Sequence, residues 1–144
     1  MIQRESQRLL QLGVLLLLLG LVTGLAVPAL ENPRMGLASH LQGITNGLVL
    51  LAFGLVWPRL ALPSGARLAA FWLSVYGTWA NWFATLLAAA WGAGAMMPMA
   101  GGGREGSPLQ ELVVTGLLLS LSAAMILACG LVLAGLRPGS TRPA

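Results

Sequence analysis

The hydrophobic residues of this chain form four long stretches, separated by short segments rich in proline, glycine and charged residues. The stretches cover roughly residues 9–30, 39–57, 68–95 and 109–136. Each is long enough, at about 1.5 Å per helical residue, to cross about 30 Å of hydrocarbon. None shows the period-two alternation of a half-buried strand. The pattern therefore predicts an all-α, polytopic membrane protein that forms a four-helix transmembrane bundle.

The segments between the stretches have the composition of loops. Asn32 and Pro33 interrupt the first pair, and Pro58 and Pro63 interrupt the second. A glycine-rich segment precedes the last stretch and ends in Ser-Pro at residues 107–108, which suits the start of a helix. We predict one domain over residues 1–144, with a flexible tail over residues 137–144.

The composition supports a membrane protein. Hydrophobic residues make up 57% of the chain and charged residues only 8%, whereas a soluble domain has about 25% charged residues. The net charge is +4, but the basic residues are all arginines scattered over termini and loops, so they form no basic patch for nucleic acid.

The arginines instead predict the orientation in the membrane, because positive charge accumulates on the cytoplasmic side. Most lie at the two termini and in the loop between the second and third stretches; these are Arg4, Arg8, Arg59, Arg67, Arg137 and Arg142. Both termini are therefore expected to face the cytoplasm, which places the start of the second stretch near the outer surface.

His40 is the only histidine and lies at the start of the second stretch. Ionisable groups at membrane depth are costly and usually functional, and imidazole is a common ligand for metals and haem. On a helix His40, Gly43 and Gly47 share a face. The two glycines form a GxxxG typical of close helix packing, and they also leave space for a flat group such as a porphyrin. The alternative is that His40 lies at the membrane interface and caps a loop.

The third stretch carries a stripe of small and polar residues on one face, spaced by threes and fours: Ser74, Gly77, Thr78, Asn81 and Thr85. Asn81 suits a structural hydrogen bond to another helix; alternatively it faces Asn46 across a substrate cavity. Tyr76, the only tyrosine, is a candidate donor of a hydrogen bond or a proton. In the fourth stretch, Glu111 is expected to pair with Arg104 or Arg34 at the outer surface.

The chain lacks the residues that several classes of enzyme require for catalysis. The chain has no aspartate, which excludes a Ser-His-Asp triad, and it has no Walker, Rossmann or HExxH motif. Carboxylates for a proton relay are absent from the interior of the stretches, which disfavours an ion-coupled transporter. The single cysteine, Cys129, has no partner for an intrachain disulfide.

Three segments carry a resemblance: His40–Gly47, Tyr76–Trp82 and Gly92–Ala100. Together they resemble the hydroxylaminobenzene mutases, small bacterial membrane isomerases that convert hydroxylaminobenzene to 2-aminophenol during nitroarene degradation. The H-x5-N-G and W-x-N elements are also similar to those of the styrene oxide isomerases, which are trimers of four-helix subunits with haem b between protomers.

The resemblance implies a role for each matching residue. His40 becomes the axial ligand of haem b, with Gly43 and Gly47 beside the cofactor, and Asn46 orients the substrate. The list of expected catalytic residues is Asn46, Asn81, Tyr76 and Thr85. Thr85 stands where the epoxide isomerases have a tyrosine, which disfavours epoxide chemistry, and Tyr76 is the candidate replacement.

The leading hypothesis is a hydroxylaminobenzene mutase of the bacterial inner membrane, a homotrimer in which haem iron acts as a Lewis acid. The second hypothesis is an epoxide isomerase of the styrene oxide isomerase type. The third is a non-catalytic membrane protein, either a small exporter or a haem-dependent electron carrier.

Overall fold

The computed structural model describes residues 2–136, and every regular element among them is helical. Four helices are long: α1 (Ile2–Ala26), α2 (Pro33–Val56), α3 (Ser64–Trp91) and α5 (Pro108–Gly135). A short helix, α4 (Pro98–Gly101), and two 3-10 turns, Val27–Ala29 and Trp57–Arg59, lie in the connections. The prediction of an all-α protein is confirmed. The predicted flexible tail, residues 137–144, lies outside the described residues.

Three of the long helices have the length and composition to cross a membrane. With their adjoining turns they are Ile2–Ala29, Pro33–Arg59 and Pro108–Gly135. Their outer faces carry exposed leucines such as Leu25 (85% exposed) and Leu133 (75% exposed), as lipid contact requires. Helix α3 was also expected to span the membrane; it is not among these three helices, and its crossing stays a prediction.

Local hydrogen bonds set the helix ends. Helix α2 begins at Pro33, because the Asn32 side chain accepts a hydrogen bond from the Met35 N–H (3.2 Å). At the start of α5, Ser107 and Gln110 form a capping box, which confirms the predicted helix start. Helix α3 ends at Gly92, whose φ of +69° suits a residue without a Cβ.

Helices α1 and α2 approach most closely along a line of glycines. A Cβ on Gly43 would lie 2.5 Å from Gly20 Cα, and a Cβ on Gly47 would lie 2.8 Å from the carbonyl oxygen of Gly13. Main chain therefore meets main chain at this crossing, and the packing expected from the GxxxG is confirmed.

The long helices pack in chain order. Helix α1 packs on α2, α2 on α3, and α3 on α5, while α5 makes few contacts with α1 or α2 within residues 2–136. This succession of neighbours does not confirm the four-helix bundle that the sequence predicts.

Polar contacts fasten the two ends of the helices. At one end Glu5 Oε2 accepts hydrogen bonds from Arg67 Nε (2.9 Å) and Trp57 Nε1 (3.0 Å), and these groups are largely buried. At the other end Asn32 Nδ2 donates to the Gly101 carbonyl (3.0 Å), which ties the loop before α2 to α4.

Glu111 also acts at this second end, and the expected pairing with Arg104 or Arg34 is wrong. Its carboxylate accepts main-chain hydrogen bonds from Gly94 (3.0 Å), Ala95 (3.2 Å) and Gly106 (2.8 Å). Arg104 instead pairs with Glu31 (2.8 Å). Glu111 therefore holds the loop between α3 and α5 against the first turn of α5.

Gly47→Ala should destabilise the protein, because its Cβ would meet Gly13 and Leu17 main-chain atoms 2.8 Å away. We expect a loss of about 1–3 kcal/mol, as for other overpacked sites, seen as a lower Tm in detergent. Gly130→Ala on α5 is the matched control, because a Cβ there meets nothing within 4 Å. Equal Tm values for the two variants would contradict a tight α1–α2 crossing.

Glu111→Gln should also lower the Tm, because one carboxylate oxygen that accepts main-chain N–H groups becomes an NH2. We expect a cost of about 1–3 kcal/mol. Glu105→Gln, which changes an exposed carboxylate in the same loop, should leave the Tm unchanged. A Tm for Glu111→Gln equal to that of Glu105→Gln would remove the anchoring role.

Candidate active site

The His40 imidazole lies against α1. Its Nδ1 is 2.8 Å from the carbonyl oxygen of Gly20. A carbonyl oxygen only accepts hydrogen bonds, so Nδ1 carries the proton and donates. In the neutral tautomer that makes this hydrogen bond, the lone pair lies on Nε2, which has no hydrogen-bond partner among residues 2–136. The residue is partly exposed.

Gly24 makes room for this ring. A Cβ at Gly24 would lie 2.6 Å from His40 Nδ1 and 2.8 Å from Cε1. Gly20 supplies the carbonyl that binds the imidazole, and Gly24 leaves the space in which the ring lies. The orientation of His40 therefore depends on α1, a role for Gly24 that the sequence analysis did not identify.

Gly43 and Gly47 share the α1-facing side of α2 with His40, as predicted. The space beside them is filled by α1, since a Cβ at either position would meet α1 main chain. These two glycines thus bring the helices together, and a flat group bound to His40 has to lie beyond this crossing.

Three amide side chains meet on another flank of α2. Gln42 Oε1 accepts hydrogen bonds from Asn46 Nδ2 and from Asn81 Nδ2, both at 3.1 Å. Asn46 Nδ2 also donates to the main-chain carbonyl of Gln42 (2.9 Å). The structure therefore brings Asn46 and Asn81 to one place, through a residue that was not among the predicted site residues.

Trp82 follows Asn81, a member of this amide cluster (Gln42, Asn46 and Asn81), and it contacts both α1 and α2. Its Nε1 donates to Thr23 Oγ1 on α1 (3.1 Å), and its ring edge would lie 2.9 Å from a Cβ on Gly43. Its main-chain carbonyl accepts from the buried Ser39 hydroxyl (3.2 Å). Trp82 is thus held by α1 and α2 at once.

The other two predicted catalytic residues lie elsewhere on α3. Thr85 is buried, and its hydroxyl donates within α3 to the carbonyls of Asn81 and Trp82 (2.9 Å each). Tyr76 is 43% exposed and its Oη is 2.6 Å from Ser120 Oγ on α5. Tyr76 therefore faces α5, whereas Asn81 faces α2.

Tyr76 borders an apolar groove on the outside of α3 and α5. The groove has a volume of about 340 Å³ and is lined by Val75, Tyr76, Trp79, Ala80, Trp82, Phe83 and Leu117. Within the described residues, the buried Trp79 Nε1 lacks a hydrogen-bond partner. Trp82, which bonds to α1 and α2, is also among the residues that line this groove.

Comparison with protein families gives a match to the styrene oxide isomerase model over residues 5–137. The chain belongs to the styrene oxide isomerase family. The match covers all four long helices, so it includes His40 and the whole amide cluster.

Two relatives of this family member come from Ectopseudomonas oleovorans. Hydroxylaminobenzene mutase HabB is 56% identical over 138 residues, which are 95% of this chain and 84% of the relative. Hydroxylaminobenzene mutase HabA is 56% identical over 125 residues, which are 86% of this chain and 93% of the relative. No solved structure matches this family member.

The predicted resemblance and the prediction of an isomerase are confirmed by these matches. The chain is an isomerase of the mutase type, with membrane-spanning helices. The exporter and the electron carrier, the non-catalytic alternatives, lose their basis.

The donor set at His40 fits one axial ligand of a haem. A ligating histidine normally donates its second ring N–H to a carbonyl or carboxylate, which fixes the tautomer and the ring orientation. His40 does so with Gly20. His40 is the chain's single histidine, and the close approach of Gly24 shows that α1 packs against its ring.

A nitrogen-15 spectrum of the apoprotein tests this geometry, because the chain has one histidine. We expect the proton on Nδ1 and a bare Nε2 in neutral imidazole. Gly24→Ala, which inserts a methyl group at the ring, should shift both ring nitrogens, while Gly116→Ala, with open space around it, should shift neither. A neutral ring that carries its proton on Nε2 and none on Nδ1 would contradict the bond to Gly20.

Proposed function

We propose that this family member converts hydroxylaminobenzene to 2-aminophenol, with haem b held by His40. The observation that carries the proposal is the Nδ1–H of His40 donating to Gly20, which leaves Nε2 free to bind iron. The substrate follows from the names of the two relatives at 56% identity.

The reaction moves a hydroxyl group without net oxidation. The N–O bond breaks, a C–O bond forms at the ortho carbon, that carbon loses a proton and the nitrogen gains one. Breaking the N–O bond heterolytically places positive charge on the nitrogen and ring and negative charge on the leaving oxygen. Haem iron, when bound, supplies a Lewis acid that stabilises this negative charge.

The chain's own residues hold the rest of the substrate. Asn46 and Asn81 hydrogen-bond the nitrogen and its proton, because their amides are the polar groups that α2 and α3 bring together. Trp82 and the neighbouring apolar side chains hold the ring and exclude water, which would otherwise capture the cationic ring. The Tyr76 hydroxyl is engaged with Ser120 and the Thr85 hydroxyl with its own helix, so the two asparagines carry the polar contacts.

The assembly we propose is a homotrimer in the bacterial inner membrane, with haem between subunits and both termini in the cytoplasm. The placement of His40 supports a shared site. Asn46 lies six positions after His40, which is about 9 Å along α2 and about 120° around it. A neighbouring copy would complete the surroundings of the haem on the side that α1 leaves open.

The styrene oxide isomerase reaction is the second candidate, favoured by the name of the family model. An epoxide opens at a C–O bond and would use the same Lewis acid. Thr85, whose hydroxyl is bonded within α3, offers no free hydroxyl one turn after Asn81, so we rank this reaction second.

His40→Ala should remove both the haem and the activity. We expect the haem content of detergent-purified protein, measured as the pyridine haemochrome, to fall to background, and 2-aminophenol formation to fall about 100-fold or more. Thr45→Val, an exposed position on the same helix, should keep both. The same preparations are assayed with styrene oxide to compare the two reactions.

Two results would contradict the proposal. Unchanged haem content in His40→Ala would remove the ligand assignment. Haem-replete wild-type protein that makes no 2-aminophenol would remove the substrate.

A further inference from the structure

Gln42 lies at the centre of the amide cluster, although neither the family motif nor its own position marks it as reactive. One atom, Gln42 Oε1, accepts hydrogen bonds from Asn46 on its own helix and from Asn81 on the next helix, both at 3.1 Å. A single side chain thus sets the orientation of both asparagines.

The NH2 group of the Asn46 side chain is fully hydrogen-bonded, whereas its carbonyl oxygen is not. Its amide has two N–H hydrogens, and Nδ2 makes two bonds, to Gln42 Oε1 and to the Gln42 main-chain carbonyl. Both hydrogens are therefore committed to Gln42. Asn46 Oδ1, by contrast, has no donor within hydrogen-bond distance among residues 2–136. Asn46 meets a ligand only as an acceptor.

The environment of Asn46 determines whether a ligand can reach its oxygen. The residue as a whole is 6% exposed, but Oδ1 is not fully buried, because Trp79 Nε1 is the one buried side-chain atom without a hydrogen-bond partner among the described residues. Asn46 Oδ1 therefore keeps some exposed surface at which a ligand can donate a hydrogen bond. If Gln42 were replaced by an apolar side chain, the amide of Asn46 would lose one of its two fixed bonds and would be free to turn its NH2 group toward the ligand.

We propose that Gln42 is a positioning residue that fixes Asn46 as a hydrogen-bond acceptor, so that the site selects substrates with an N–H or O–H donor on the reacting group. This inference rests on the proposed function and deepens it. An aryl hydroxylamine carries both N–H and O–H hydrogens, whereas an epoxide carries none. The acceptor oxygen of Asn46 is then satisfied by the first class of substrate and left unpaired by the second.

The hydrogen bonds of Gln42 can be tested by NMR without an activity assay. The chain has three asparagines, Asn32, Asn46 and Asn81, so their side-chain signals are few enough to assign. Protein labelled with nitrogen-15 asparagine gives three side-chain amide signals, which Asn46→Asp and Asn81→Asp assign. Gln42→Met, of similar length but without a polar atom, should shift the Asn46 and Asn81 signals and speed exchange of their hydrogens with water. Gln42→Glu keeps accepting oxygens and should restore both signals. Asn32, bound to Gly101, is the internal control.

The function is tested by kinetics on the haem-containing enzyme. Gln42→Met should lower kcat/KM for hydroxylaminobenzene by about tenfold or more, with unchanged haem content, and Gln42→Glu should recover most of it. Thr45→Val should match the wild type. If Gln42 had a purely structural role, Gln42→Met would have a lower Tm and a lower haem content than the wild type. In that case Gln42→Glu would not recover kcat/KM.

The outcomes separate the two proposals. If the Asn46 and Asn81 signals do not move in Gln42→Met, or Asn32 moves equally, the positioning role is overturned whatever the activity. If the signals move but kcat/KM for hydroxylaminobenzene stays at the wild-type value, the substrate preference is overturned while the proposed reaction stands. If the wild type makes no 2-aminophenol, the proposed function fails, and the substrate preference fails with it.

Discussion

The close crossing of α1 and α2 is the contact on which the rest of the structure depends. It exists because glycines on both helices remove the Cβ atoms that would otherwise hold the main chains apart. The crossing brings the Gly20 carbonyl to His40 and leaves a gap at Gly24 for the ring. It also fixes the rotation of α2, so that Gln42 and Asn46 turn toward α3. The ligand and the amide cluster are thus both set by one packing contact.

Much of this arrangement could be predicted from the sequence, because hydropathy and helical periodicity act locally. The helical stretches, the start of α5 at its capping box, and the shared face of His40 with two glycines all follow from spacing along one helix. The same periodicity does not say what a face will meet. The strip at Gly43 and Gly47 suits a flat cofactor and a second helix equally well, and in the structure it meets α1.

The missed features all depend on contacts between distant parts of the chain. Gln42 is joined to Asn81 across 39 positions, and nothing along α2 alone indicates that pairing. Glu111 was expected to find an arginine, but its partners are main-chain N–H groups that come together only when the loop between α3 and α5 folds.

The spacing of the His40–Asn46 segment gives α2 two functions at once. A separation of six residues turns the helix by about 600°, which leaves the two side chains about 120° apart. One flank can then pack on α1 and present an imidazole, while the other faces α3 and presents amides. Trp82 connects α3 to both of the preceding helices, because its indole bonds to α1 and its main chain bonds to α2. A substitution that rotated α2 would therefore disturb the imidazole and the amides together, even if it lay far from both.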